Sequence, residues 1–287
     1  MEGVDHTRID GPGGSRPTLY SATEWLREGA PAQVQQPQPN APRVVAHRGN
    51  AADFPENTLP SLASALGAGL PWIEIDVQLS ADGVPFIIHD ARLERTTREV
   101  GDLRRMTASA LSMVDAGEPR RFGNVFAGTP LPRLADLVPL LGQYEQAGAF
   151  IELKRASLTR HGRELCVQRT LEALDGVADR CVPISFDQAA VTMARAATGG
   201  PVGWVIERFS SSQLEFLQDL RPEFVFYDYL KLPGPDSPLA KGPWRWVAYE
   251  IKDATQAGIE FARGAALVES MAPLGLAAAL QTDGPPR

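Results

Sequence analysis

From residue 43 onward, short runs rich in β-branched and aromatic residues alternate with segments of helical period. This alternation restricts the fold more than any single motif does. The apolar runs fall at 44–47, 72–79, 150–154, 181–186, 202–207, 224–229, 245–251 and 266–270. Helical segments at 59–68, 134–146, 162–174, 188–197, 212–219, 255–263 and 274–280 lie between or after them. Strands that alternate with helices build right-handed β-α-β units and a parallel sheet. Eight such strands suit a closed (β/α)8 TIM barrel of the α/β class better than an open doubly wound sheet, and 287 residues are enough for one.

Two stretches fall outside the rhythm. Residues 1–42 are rich in Gly, Pro, Gln and small polar residues and read as a flexible N-terminal arm. Within it, Ser21-Ala22-Thr23-Glu24 has capping-box spacing and predicts one short helix, which would offer Trp25 to the barrel or to a second subunit. The barrel domain then spans 43–287. Residues 91–130 carry Arg92, Arg95, Arg98, Arg104, Arg105, Arg120 and Arg121 among short helical pieces, and fit no simple βα unit. They read as an inserted subdomain above the barrel mouth, where insertions shape substrate access.

A net charge of −7 argues against nucleic acid as a partner and supplies no basic patch for anionic membranes. Cys166 and Cys181 form no C-x-x-C pair and read as buried thiols. The first 43 residues hold no apolar signal core, and no apolar stretch reaches the length of a membrane span. The expectation is a cytoplasmic protein of open oligomeric state.

The chemistry concentrates first at 71–90. Glu74 and Asp76, one residue apart on a strand, point to the same side. Two adjacent carboxylates repel, and a divalent cation is the usual remedy. The turn signal Ser80-Ala81-Asp82-Gly83 then leads into a second apolar run ending at His89. So short a link makes an antiparallel hairpin, because a parallel crossover needs a dozen residues or more. Centring the turn on Asp82-Gly83 places His89 about opposite Asp76.

Further ionisable residues close neighbouring strands: His47-Arg48 on the first, and Glu152 and Lys154, again one residue apart, on the third. In such barrels the site gathers at the C-terminal strand ends. Oxygen ligands without cysteine suit Mg²⁺ or Ca²⁺ rather than zinc. A hard cation beside Arg and Lys serves a phosphate oxyanion, and two histidines can act as general base and general acid on either side of phosphorus. These residues read as metal-assisted phosphodiester cleavage. His6 and His161 read as surface residues.

Val45-Ala46-His47-Arg48-Gly49, Pro55-Glu56-Asn57-Thr58 and the stretch from Trp72 through Glu74 and Asp76 to His89-Asp90 resemble the glycerophosphodiester phosphodiesterase family. The likeness continues through Leu93-Glu94-Arg95-Thr96-Thr97, Ile151-Glu152-Leu153-Lys154 and Ser185-Phe186-Asp187. The resemblance implies a barrel with a small inserted subdomain that hydrolyses glycerophosphodiesters to sn-glycerol 3-phosphate and an alcohol. It implies that His47 and His89 are the acid–base pair, that Glu74, Asp76 and Glu152 hold Mg²⁺ or Ca²⁺, and that Arg48 and Lys154 contact phosphate. Glu56 is implied close to the metal and Asn57 as an organiser of its loop. Attack by the neighbouring glycerol hydroxyl through a cyclic phosphate, and direct attack by water, are both open. Where family members carry Trp-Thr-Val-Asn, this chain has Tyr249-Glu250-Ile251-Lys252, so Tyr249 replaces a residue of the substrate wall. Where they carry Thr-Asp-x-Pro, it has Glu269-Ser270-Met271-Ala272-Pro273. These departures leave room for another diester, such as a lysophospholipid or sugar phosphodiester, with Phe122 and Phe126 as apolar surface near the mouth. A non-catalytic diester-binding protein is the remaining reading.

Overall fold

The computed structural model describes residues 43–231 and 237–282. The arm, its capping box and Trp25 lie outside the described residues. Eight parallel strands close into a barrel: β1 (Val44–His47), β2 (Trp72–Leu79), β4 (Gly148–Leu153), β5 (Cys181–Ser185), β6 (Gly203–Ile206), β7 (Phe224–Asp228), β8 (Arg245–Tyr249) and β9 (Ala265–Ser270). They pair in chain order, and β9 returns to β1. The ninth strand, β3 (Pro85–Ile87), is antiparallel to β2.

Alternation within these strands separates two apolar layers. Outward residues such as Val44, Ala46, Ile73, Ile75 and Ile151 pack under the helices. Inward residues Val45, Phe150, Val182, Ile184, Val205, Phe224, Phe226, Val247 and Leu267 fill the barrel, with Trp72 against them. Trp72 stacks on Phe150 at 4.6 Å, and Phe150 meets Phe224 and Phe226 edge-on at 4.8 and 5.0 Å. Gly148 makes room for this plug, since a Cβ there would lie 2.4 Å from the Trp72 ring. The barrel is therefore solid below its mouth, and its polar chemistry is confined to the top.

The hairpin forms, but its register differs from the expectation by one residue. Leu79 pairs with Pro85 and Val77 with Ile87, so the pairing runs on towards Ile88 opposite Asp76. The loop between those strands is the five residues 80–84, closed by Ser80 N–H to Val84 O at 3.0 Å, and its midpoint is Asp82 alone. His89 lies beyond β3, so the loop that follows positions it and not the strand ladder. β2 outlasts β1: it pairs with β1 at Trp72–Glu74 and with β3 at Val77–Leu79, while β4 runs along its other edge.

The insertion at 91–130 has a small core of its own, in which Phe86 and Ile88 pack with Leu93, Leu103, Leu111, Val114 and Leu131. Both cysteines are buried, and burial pushes the Cys181 thiol up to about 12. A helix at Arg155–His161 follows β4, ahead of the one that the helical period marks at 162–174. His161 ends it and is partly buried, where the sequence suggests a surface residue. No described helix is long and apolar enough to cross a membrane.

Candidate active site

The segment after β1 sets the first part of the mouth. Arg48 takes a left-handed backbone with φ of 56°, its N–H bonding the Glu74 carbonyl at 3.0 Å. Gly49 follows with φ of 83°, and a Cβ there would fall 2.4 Å from Ser61 Oγ. Only glycine fits so close an approach with that backbone. The chain then descends through Pro55-Glu56-Asn57-Thr58, where each polar residue has one task. Thr58 caps the helix Leu59–Gly67 by accepting from Ser61 N–H. Asn57, also left-handed at φ of 56°, donates its amide to Asp76 Oδ2 at 2.8 Å and accepts the Asp76 N–H at 3.3 Å. Glu56 receives Arg48 Nη1 at 2.9 Å and both terminal nitrogens of Arg95 at 2.7 Å. Its carboxylate is filled by two guanidinium groups, so it holds the arginines in place.

Strand parity delivers the rest. Glu74, Asp76 and Gln78 leave β2 on the inward side, and Glu152 does so from the adjacent β4. Oxygens of Glu74, Asp76 and Glu152 lie within 4.8 Å of one another, all buried. Lys154 Nζ sits 3.0 Å from Asp76 Oδ1 and 2.9 Å from Glu152 Oε1, and Arg48 Nε is 3.0 Å from Asp76 Oδ2. Burial would raise the Asp76 carboxyl, but Lys154 and Arg48 outweigh it and hold it below the ordinary carboxylate range. Glu74 has no such cation. Burial, then Asp76 and Glu269, push it well above the usual value. Its Oε1 is shielded and has no hydrogen-bond partner. An orphaned buried oxygen between two other carboxylates is what a hard cation would satisfy, so the donor set fits Mg²⁺ or Ca²⁺.

His47 leaves β1 with Nε2 at 3.8 Å from Glu74 Oε2. Burial and then Arg48 lower its pKa to about 3, so the imidazole is neutral and the contact is polar, not an ion pair. His89 is held from two sides. Gln78 donates its amide to the His89 carbonyl at 2.9 Å while accepting from Ser157 Oγ at 2.6 Å. His89 Nδ1 meets Asp90 Oδ1 at 2.6 Å, and Arg95 binds the other Asp90 oxygen. Burial opposes ionisation of Asp90, but bonds from Arg95 and His89 keep it below its ordinary value. An ionised carboxylate only accepts, so His89 Nδ1 donates and Nε2 is left for chemistry.

All the residues singled out in the sequence on β1, β2 and β4 thus meet at one mouth. Tyr249 closes β8 on the opposite wall, packed on the inward layer. Phe122 and Phe126 pack together at 5.0 Å, with Phe54 against Phe126 at 5.4 Å. Sequence reasoning missed Arg95, which bridges Glu56 to Asp90, and Gln78, which sets the His89 loop. It also missed Glu269, whose carboxylate lies within 4.8 Å of ligand atoms of His47 and Glu74. The available signals were the parity of Gln78 with Asp76 and of Glu269 with the inward Leu267.

The fold is thus a parallel α/β barrel whose mouth gathers buried carboxylates, Arg48, Lys154 and two histidines. The glycerophosphoryl diester phosphodiesterase family matches residues 47–231, and the chain belongs to that family. A glycerophosphodiester phosphodiesterase of Caldanaerobacter subterraneus subsp. tengcongensis is 39% identical over 99 residues, covering 34% of this chain and 40% of that protein. One from Bacillus altitudinis is 32% identical over 151 residues, covering 53% and 60%. The matches therefore span less than two thirds of these relatives' lengths. An Oleispira antarctica phosphodiesterase solved in complex with the product sn-glycerol-3-phosphate superposes with a TM-score of 0.73 at 27% identity, over 84% of this chain and 97% of that one.

Proposed function

We propose that the protein hydrolyses glycerophosphodiesters to sn-glycerol 3-phosphate and an alcohol, with Mg²⁺ or Ca²⁺ held by Glu74, Asp76 and Glu152. The observation that carries this reading is the set of three buried carboxylates with oxygens within 4.8 Å, flanked by Arg48 and Lys154. A cation bound there would offset charge on the phosphate oxygens. Arg48 and Lys154 orient the phosphate, each anchored on Asp76 and a second carboxylate. His47, with no carboxylate bonded to its ring, takes the proton from the attacking oxygen. His89, oriented by Asp90 at Nδ1, returns a proton from Nε2 to the leaving alcohol. Glu56 and Asn57 fix the Arg48 and Asp76 side chains. Tyr249 forms part of the wall for the organic groups.

The test is hydrolysis of glycerophosphocholine by purified protein with Mg²⁺ or Ca²⁺, and with EDTA. Chelation is expected to abolish turnover. His47→Ala and His89→Ala should each lower kcat by about 10²–10⁴-fold. Wild-type rates in both variants would sink the acid–base assignment. Cleavage of some other diester with none of glycerophosphocholine would sink only the substrate.

A further inference from the structure

The end of β9 breaks the apolar run of that strand with Glu269, and the proposed reaction gives it no role. Its side chain shares the inward parity of Leu267, which belongs to the barrel interior. Val45 of β1 lies beside Glu269 in the ladder, so its carboxylate sits next to His47 two residues on. Glu269 is 3% exposed, and its Oε1 is shielded from solvent with no hydrogen-bond partner among the described residues. A buried, unpartnered carboxylate is costly unless something positive meets it.

Among the described residues, the basic side chains at the mouth are already engaged. Glu56 is matched by Arg95. Of the remaining cations at the mouth, Arg48 is bound to Glu56 and Asp76, and Lys154 to Asp76 and Glu152. Four carboxylates, Glu74, Asp76, Glu152 and Glu269, therefore face two basic side chains. This surplus of acidic over basic groups is what a divalent ion would relieve. Glu74 belongs to both close groups, with Asp76 and Glu152 on one side and with Glu269 and His47 on the other.

We propose that Glu269 is a fourth carboxylate ligand of the cation site, and that it makes the site select Ca²⁺ over Mg²⁺. The proposal rests on the reading that Glu74, Asp76 and Glu152 hold a metal. Ca²⁺ accepts roughly six to eight oxygens in flexible geometry, whereas Mg²⁺ demands a strict octahedron and keeps several waters. Three carboxylates from two adjacent strands leave space for waters. A fourth from β9, reaching across β1, replaces water by protein oxygen and fits the larger ion.

The experiment is calorimetric titration of EDTA-stripped full-length protein with CaCl₂ and, separately, MgCl₂, for wild type, Glu269→Gln and Glu152→Gln. Glu269→Gln should raise the Ca²⁺ Kd about tenfold or more and the Mg²⁺ Kd less than about threefold. Melting curves give an independent readout on the same proteins. Without metal, Glu269→Gln should melt at or above the wild-type temperature, because it removes an uncompensated buried carboxylate, and its Ca²⁺-induced rise should be smaller. Wild-type Ca²⁺ affinity in Glu269→Gln, with binding lost in Glu152→Gln, overturns the role of Glu269 and leaves the three-carboxylate site standing. Equal weakening of both ions overturns the Ca²⁺ preference. Wild-type affinity in both variants overturns the three-carboxylate reading and this proposal with it.

Discussion

The two halves of the barrel are built on one strand–helix plan but differ at the ends of their strands. β1, β2 and β4 deliver His47, Arg48, Glu74, Asp76, Glu152 and Lys154 to the mouth, all but Arg48 and Lys154 within the strands themselves. From β5 to β8 the strand ends carry Phe186, Glu207, Tyr229 and Tyr249, and the acidic groups there pair singly with exposed basic side chains. Glu207 is paired with Arg155 and about half exposed. Asp228 is paired with Lys231. The first half concentrates charge where water is excluded; the second mainly supplies walls. A barrel can divide its labour this way because its interior is plugged by aromatics, so each half is free to specialise above the plug.

This contrast predicts a steep difference in mutational cost. Asp76→Asn removes the anchor shared by Arg48, Lys154 and Asn57, and should lower kcat/KM by about 10³-fold with the fold retained by circular dichroism. Glu207→Gln, on the other half, should stay within about twofold of wild type. Equal losses would mean that the halves are not distinct. Below the mouth the halves share one core, so Phe150→Ala should cost about 3–5 kcal/mol in urea unfolding, through lost contacts with Trp72, Phe224 and Phe226. A loss under 1 kcal/mol would mean that the plug is loosely packed. The mildest effect belongs to the wall: Tyr249→Ala should raise KM by about tenfold and change kcat less than about threefold. A fall in kcat alone would move Tyr249 from substrate wall to chemistry.

The same division explains what was legible in the sequence. Strand order and barrel closure followed from periodicity, because a parallel strand buried on both faces reads as an apolar run. Glu74 with Asp76, and Glu152 with Lys154, were readable because parity alone decides which side they face. His89 was readable as a member of the site but not in its placement. A five-residue loop shifts the register by one, and the groups that hold His89 are Gln78 and Asp90. Arg95 and Glu269 escaped for a different reason. One reaches Glu56 across 39 residues of sequence and the other meets His47 only when β9 closes on β1, and no local pattern encodes either meeting. Glu56, read as a neighbour of the metal, also clamps Arg48 and Arg95.

Whether a cation sits at the charged half is tested most directly in a crystal of the intact protein soaked in Mn²⁺. An anomalous difference map should show one strong peak among the carboxylates of Glu74, Asp76 and Glu152. A well-ordered mouth without a peak at saturating Mn²⁺, or peaks confined to surface acids, would contradict the account.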